Sequence, residues 1–255
     1  GGALFNEATL NLESSTLFTN TAAFSGGGLY NLADAQVFNT TFSSNTAGDS
    51  GGGIYNEGSL FANNVTATLN EADLGGGIYG LAFSTGVVTI AANSIVAGNT
   101  ATTAGPDCAD ELLSDGFNLI GDDSDCTVTG DGSDRLNEDP LLGPLQLNGG
   151  TTENHALQPG SPALDAGNPL DPASQDAACI AADQRGFARP GGEFCDIGAF
   201  ELDDSDAPTT DVLQTPQPNA PGWNRINVTL DLTATETCSL QDGPSGVRSI
   251  TYSAT

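Results

Sequence analysis

The chain has 255 residues, with 33 Asp and Glu against five basic side chains and one His, a formal charge of −28 at pH 7. Nucleic acid, anionic lipid and anionic polysaccharide are poor partners for that balance, because each demands clustered Lys or Arg. No run of about 18 apolar residues offers a membrane-spanning helix, and a hydrophobic content of 38% suits a thin stacked core better than a broad globular one.

The first 105 residues repeat a phrase: GGALFN at 1–6, GGGLYN at 26–31, GGGIYN at 51–56 and GGGIYG at 75–80. A second phrase keeps the step, with Asn20-Thr21-Ala22, Asn45-Thr46-Ala47, Asn70-Glu71-Ala72 and Asn99-Thr100-Ala101, the last displaced by an insertion within GLAFSTGVVTI. A fixed period in the twenties is the mark of a solenoid. Helical solenoids need roughly 33 residues per repeat and good helix formers, whereas these repeats are rich in Thr, Asn, Gly, Val, Phe and Ile, which suit strands and tight turns. One turn of a parallel β-helix fits best. Coils stacked about 4.8 Å apart put equivalent residues over one another. Leu4, Leu29, Ile54 and Ile78 then form an aliphatic stack, and Phe5, Tyr30, Tyr55 and Tyr79 an aromatic one. Asn6, Asn31 and Asn56 form an amide ladder. The glycines permit corners with positive φ.

From Gly105 the period loosens. FNLIG, PLLGPLQL and HALQPGSPALDAG read as irregular last coils that close the end of the stack, since an open coil is a bare sheet edge. Local pairing joins Cys108 to Cys126 and Cys179 to Cys195, each worth about 3 kcal/mol on the chain-entropy account and pointing to an export compartment. Cys238 is left over, free or paired beyond residue 255. The loop GDDSDCTVTGDGSD brings Asp122, Asp123, Asp125, Asp131 and Asp134 close in sequence, a candidate calcium site of oxygen donors without an EF-hand glutamate; a solvated acidic loop is the alternative. No other cofactor is expected. His155, the single histidine, has no Ser or Cys motif around it and reads as a packed or surface residue. Asn39, Asn64 and Asn227 open glycosylation sequons.

In DQRGFARP and CDIGAFE, Asp183, Arg185, Arg189, Asp196 and Glu201 form a candidate structural cluster. Arginine is scarce, so each one near carboxylates is expected to hold a fixed partner, as a bidentate clamp in the terminal cap; a site for an acidic ligand is the sharper alternative. With GGGIYN, DPLLGPLQLNGG and HALQPGSPALDAG, these motifs resemble exported bacterial right-handed parallel β-helix proteins. Those carry repeats similar to polymorphic outer membrane proteins and a terminal region of the choice-of-anchor Q type. The resemblance covers about residues 1–202. It implies a surface or secreted protein, adhesive or structural, with no assigned catalytic residues.

Enzymes share the β-helix fold, but this is analogy alone. A lyase needs a basic residue beside calcium, and there is no Arg or Lys in 1–134. A hydrolase needs two facing carboxylates. Glu7, Glu13, Asp34, Asp49, Glu57, Glu71 and Asp73 are sparse and mostly at turns. No enzyme is expected.

Residues 203–222 shift to Pro and Asp and read as a linker. The alternation of Val228, Leu230 and Leu232, then Val247, Ile250 and Tyr252, resembles the start of a bacterial immunoglobulin-like sandwich, of which only about half is present. The expected division is a β-helix over 1–203 and a partial β-sandwich over 204–255, all-β throughout. An open sandwich edge invites strand addition. The first residue sits inside a repeat, so the chain looks like a piece of something longer, with signal and anchor outside it. The expectation is a non-catalytic extracellular structural or adhesive protein, a stalk or self-assembling fibre subunit. Its partners would be further copies of itself, or cell-surface carbohydrate or protein. A polysaccharide-binding or polysaccharide-cleaving β-helix is the second reading.

Overall fold

The computed structural model describes residues 1–80, 88–175, 177–203, 209–215 and 229–235. These contain strands and turns and no helix. The first coil carries β1 (Leu4–Asn6), β2 (Thr9–Glu13), β3 (Thr16–Phe18) and β4 (Thr21–Ala22). The second repeats them as β5 (Leu29–Asn31), β6 (Asp34–Phe38), β7 (Thr41–Ser43) and β8 (Thr46–Ala47), and the third as β9 (Ile54–Asn56), β10 (Ser59–Asn63), β11 (Thr66–Thr68) and β12 (Glu71–Leu74). The fourth holds β13 (Ile78–Gly80), β14 (Val88–Ala92), β15 (Ile95–Val96) and β16 (Thr100–Ala104).

Every strand pairs in parallel with its copy one coil away, as in Tyr30 with Tyr55 and Leu12 with Val37. The result is a parallel β-solenoid of about four regular turns. The insertion lengthens the step from 25 residues between Asn45 and Asn70 to 29 between Asn70 and Asn99. Leu29, Val37, Phe42, Ile54, Leu60 and Ile78 fill the interior as one core.

Corners explain the glycine cluster. Gly26, Gly51, Gly75 and Gly105 all have positive φ. The third glycine answers a different need, since a Cβ on Gly53 would lie 2.6 Å from the carbonyl oxygen of Gly77 in the next coil. Two further corners use other residues in the left-handed region: Ser14, Asn39, Asn64 and Asn93 at one, Thr19, Ser44 and Leu69 at the other. Asn is among the residues that enter this region most readily, and here the Asn39, Asn64 and Asn93 side chains bond carbonyls of Ala182, Gly198 and Ala177. Leu69 adopts it without a polar side chain.

β17 (Cys108–Gly116) adds to both β13 and β14 and so joins their ladders into one sheet. β18 (Leu119–Ile120), β19 (Cys126–Thr129) and β20 (Arg135–Leu136) carry the stack further. FNLIG is therefore an in-register coil. The next segment departs from expectation. β21 (Leu142–Gln146) and β22 (Asn154–Leu157) pair antiparallel, and the chain from 158 to 202 returns along the flank of the solenoid instead of closing its end. Thr16 in the first coil bonds the Glu153 carbonyl, Asn39 in the second that of Ala182, and Asn63 in the third that of Ala178.

The reason lies in the covered face. Ile95 and Leu119 point outward while their neighbours Val96 and Ile120 point into the solenoid core. The outward pair needs an apolar cover. Leu157, Ala163, Ile197, Phe200 and Leu202 supply it in a second core.

β23 (Thr209–Thr215) and β24 (Thr229–Thr235) form an antiparallel pair. The expected linker over 203–222 thus contains a strand, because Thr-Thr-Asp-Val-Leu-Gln-Thr is rich in β-branched residues despite flanking prolines. Val228, Val247, Ile250, Tyr252 and Cys238 lie outside the described residues, as does Asn227.

Candidate functional site

Polar rows run the length of the stack. Asn6 donates to Asn31 and Asn31 to Asn56, each across 2.7 Å. A second row, Asn20–Asn45–Asn70–Asn99, is denser. Each side-chain oxygen accepts both the amide nitrogen and the backbone N–H of the preceding Asn, at 2.8–3.1 Å. The row ends on Asp107, whose Oδ1 accepts from Nδ2 and the backbone N–H of Asn99, both at 2.8 Å. Asp107 follows the glycine row, as Gly77 packs against its carbonyl. A carboxylate has no N–H to pass on, so Asp107 terminates the row. Its Oδ2 takes the N–H of Asp122 at 2.8 Å. Burial raises its pKa, and the bonds from Asn99 oppose that. The sequence reading missed this ladder and its end. The repeated Asn-Thr-Ala phrase was the available signal for the first, and Gly-Pro-Asp-Cys in place of Gly-Gly-Gly for the second.

The aromatic row lies on the outside. Ring centroids are 5.3 Å apart for Phe5–Tyr30, 4.6 Å for Tyr30–Tyr55 and 5.5 Å for Tyr55–Tyr79. Tyr30 and Tyr55 therefore have neighbouring rings on both sides, tilted by 52° and 48° for the first two pairs and stacked for Tyr55–Tyr79. The Tyr55 hydroxyl donates to Glu57 across 2.8 Å. Burial, then that bond, raises the Tyr55 pKa.

In the return segment, Asp183, Arg185, Arg189, Asp196 and Glu201 come together in two linked groups. The Arg185 Nε donates to Asp183 Oδ2 at 2.7 Å, and its guanidinium lies over the rings of Phe200 and Phe187 at 3.8 and 4.4 Å. Arg189 holds Glu201 through Nη1 and gives Nη2 to the Gly198 carbonyl. The expected two-pronged fork is thus a single-point contact at Arg189, because the second nitrogen is drawn to backbone. Glu201 also accepts from the backbone N–H of Gly191 and Asp196, and Asp196 from those of Asp165 and Leu202. Asp183, Arg189, Asp196 and Glu201 are all 5% exposed or less. Burial raises the pKa of Asp196, the nearby Glu201 adding to it, and burial also raises that of Glu201 against the pull of Arg189. These groups brace the flank of the solenoid and do not sit in a cap at its end.

Cys108–Cys126 ties β17 to β19, and Cys179–Cys195 ties two parts of the return segment. His155 is buried. Its Nδ1 donates to the Gly143 carbonyl at 2.7 Å, and Nε2 then accepts the Ser43 hydroxyl at 2.9 Å. Burial lowers its pKa. The sequon residues Asn39 and Asn64 are buried corners in the folded chain.

The acidic loop disperses its carboxylates. Asp122 caps Ser124 and Asp131 caps Ser133, bonds that lower the pKa of both aspartates. Asp134 accepts from Ser114 and Asn118. Asp125 reaches the N–H of Gly105, and the Asp123 carbonyl takes that of Cys126. Among the described residues no three His, Cys, Asp or Glu side chains converge to hold a metal. A cleft of about 540 Å³ opens beside this loop, lined in part by Asn99, Pro106, Asp107, Asp122, Glu138 and Asp139.

The architecture is that of a parallel β-solenoid, and the chain resembles one kind of bacterial surface repeat. The Chlamydia polymorphic membrane protein repeat matches residues 39–57, which run from the Asn39 corner through β7 and β8 into the GGGIYN phrase. No curated protein and no solved structure matches the chain. The repeat points to a surface or outer-membrane protein family.

Proposed function

We propose that this chain is a non-catalytic structural or adhesive module at the bacterial cell surface, a stalk whose solenoid holds other parts away from the membrane. The observation that carries the reading is the polymorphic membrane protein repeat within the regular coils. Stacked parallel strands, satisfied amide rows and two disulfides are consistent with an exported rod. The non-catalytic reading is supported by the bonding of buried His155 and of the buried Asp196–Glu201 pair to protein groups. Antibodies against the solenoid should label intact, unpermeabilised cells, and beads coated with the purified chain should adhere to the surfaces those cells colonise. Labelling only after permeabilisation would sink the surface reading. Electron microscopy at rising concentration tests the fibre version, which single particles throughout would exclude.

A further inference from the structure

One edge of the third sheet has no strand paired to it among the described residues. Its strand order is β16–β12–β8–β4, whereas the other two long sheets continue past the fourth coil through β17, β18, β19 and β20. After β18 the chain turns through 121–125 straight into β19, and Asp107 takes the rung a further Asn would fill. Among the described residues nothing pairs with the outer edge of β16. The Thr100 N–H bonds Asn70 of the third coil. By alternation the N–H and C=O of Ala101 face away from β12, toward the open side. The strand reads Thr-Ala-Thr-Thr-Ala, with Thr100, Thr102 and Thr103 exposed. Natural edges are blunted by charge, proline or a bulge that turns them away. This one has no charge or proline within its five residues. Its irregularity is one extra residue of β16 between Ala101 and Ala104, opposite Ala72–Leu74 of β12, so the regular open edge is Thr100–Ala101.

The surroundings are acidic. Asp73 bonds Thr102, Asp125 reaches Gly105, and the acidic cleft touches both ends of the strand, at Asn99 and at Pro106. Asp107, Asp122, Glu138 and Asp139 line the cleft. The nearby cation, Arg135, is paired with Glu138 at 3.4 Å.

We propose that β16 is a docking edge for an extended peptide of a basic partner protein, which adds as a strand and places a Lys or Arg side chain in the cleft between Asp107, Asp122 and Asp139. Backbone pairing supplies the register, and the side-chain pocket supplies the selectivity. Charge complementarity excludes a second copy as occupant, because a chain of formal charge −28 meets its own like charge there. The inference does not depend on the surface-stalk reading.

The test uses the full chain and three short synthetic peptides: alternating Lys and Thr, the same with Glu for Lys, and the Lys–Thr peptide with every second Thr replaced by Pro. Binding is read by fluorescence anisotropy at physiological salt, and strand addition by hydrogen exchange at the β16 amides. The Lys–Thr peptide should bind and slow exchange in β16. The proline peptide, equally charged, should leave exchange unchanged, and the Glu peptide should not bind. Asp122→Asn with Asp139→Asn should weaken binding about tenfold, the scale for removing two partly screened charges. The proposal is overturned if both basic peptides bind alike without protecting β16, which is bulk electrostatic attraction. It is equally overturned if the β16 amides are already protected in the free chain, by another segment of this chain or, with dependence on concentration, by a second copy.

Discussion

Asn45→Ala measures the buried amide row. Asn45 is fully buried. Its oxygen accepts Asn20 N–H and Nδ2 at 3.1 and 2.8 Å, and its Nδ2 donates to the Leu17 carbonyl and to Asn70 Oδ1, both at 2.9 Å. Alanine removes all four, and at about 1 kcal/mol net per bond the loss is about 4 kcal/mol. That corresponds to a melting temperature lower by about 10 °C. Asn20→Ala is the internal control. It removes one side-chain bond, Nδ2 to Asn45, from a half-buried position, and should cost about 1 kcal/mol. Asn45→Asp keeps the acceptor but sets a carboxylate oxygen against Leu17 O and Asn70 Oδ1, so at neutral pH it should be worse than alanine. Thermal and urea unfolding followed by circular dichroism read all three. Equal losses at positions 20 and 45, or an aspartate better tolerated than alanine, would refute the reasoning.

Gln184→Ala should loosen the return segment. Gln184 accepts from Thr41 at 2.6 Å and donates to Thr16, Thr152 and the Glu153 carbonyl at 3.0 Å. Faster hydrogen exchange at 150–157 and 182–189, with β9–β11 unchanged, is the expected result, and a uniform rise across the coils would count against it. Cys179→Ser with Cys195→Ser should cost about 3 kcal/mol on the loop-entropy account, with exchange rising first in 177–200; no change in stability would show that packing alone holds the segment. Asp107, Asp196 and Glu201 have pKa values raised by burial, so above the ordinary carboxylate range the folded chain holds more protons than the unfolded one. Stability should then fall as pH rises through that window. His155 acts in the opposite sense, its contribution being lost as pH falls below its ordinary 6.5. The carboxylate effect should persist in high salt, which screens surface repulsion but not buried groups, so a slope abolished by salt would assign it to the surface. Millimolar calcium, or its removal with EDTA, should leave the melting temperature unchanged, because Asp122, Asp131 and Asp134 are engaged by Ser124, Ser133, Ser114 and Asn118; a clear rise with calcium would favour the acidic loop as its site.

The repeat made most of the solenoid legible. A step of 25 residues placed Leu29 over Leu4, Tyr30 over Phe5 and Asn31 over Asn6, and the strands pair in that register. Periodicity is a strong signal because each coil makes the same contacts. It is silent about everything that breaks it. The return segment has no period, so its course along the flank could not be read from residues 142–202 alone. The clue lay in the coils, in Ile95-Val96 and Leu119-Ile120, whose apolar pairs signal strands buried on both faces. The Arg189–Glu201 geometry was out of reach for another reason. Charge scarcity predicts that an arginine has a partner, but which nitrogens it spends on backbone depends on carbonyls such as Gly198 that no pattern marks. At Asp122 to Asp134 closeness in sequence is not convergence in space, since aspartate–serine turns engage Asp122 and Asp131 while Asp125 and Asp134 turn to Gly105 and to Ser114 and Asn118.

The return segment changes what kind of object the solenoid is. A stack in which each coil touches only its neighbours is a one-dimensional chain of interfaces, and it can fray from either end one repeat at a time. Here one segment bonds the first coil through Thr16, the second through Asn39 and Thr41, the third through Asn63 and Thr66, and the fourth through Asn93. Opening any coil on that flank breaks contacts shared with the others. Ile197, Phe200 and Leu202 bury against Ile95 and Leu119 in the same layer, so the segment cannot be peeled away without exposing apolar surface. The buried Asp196, Glu201 and Arg189 tie its end back on itself. Proteases act first on the least stable repeat of such a stack. Coupling the coils through a common flank removes the weak repeat as a separate target.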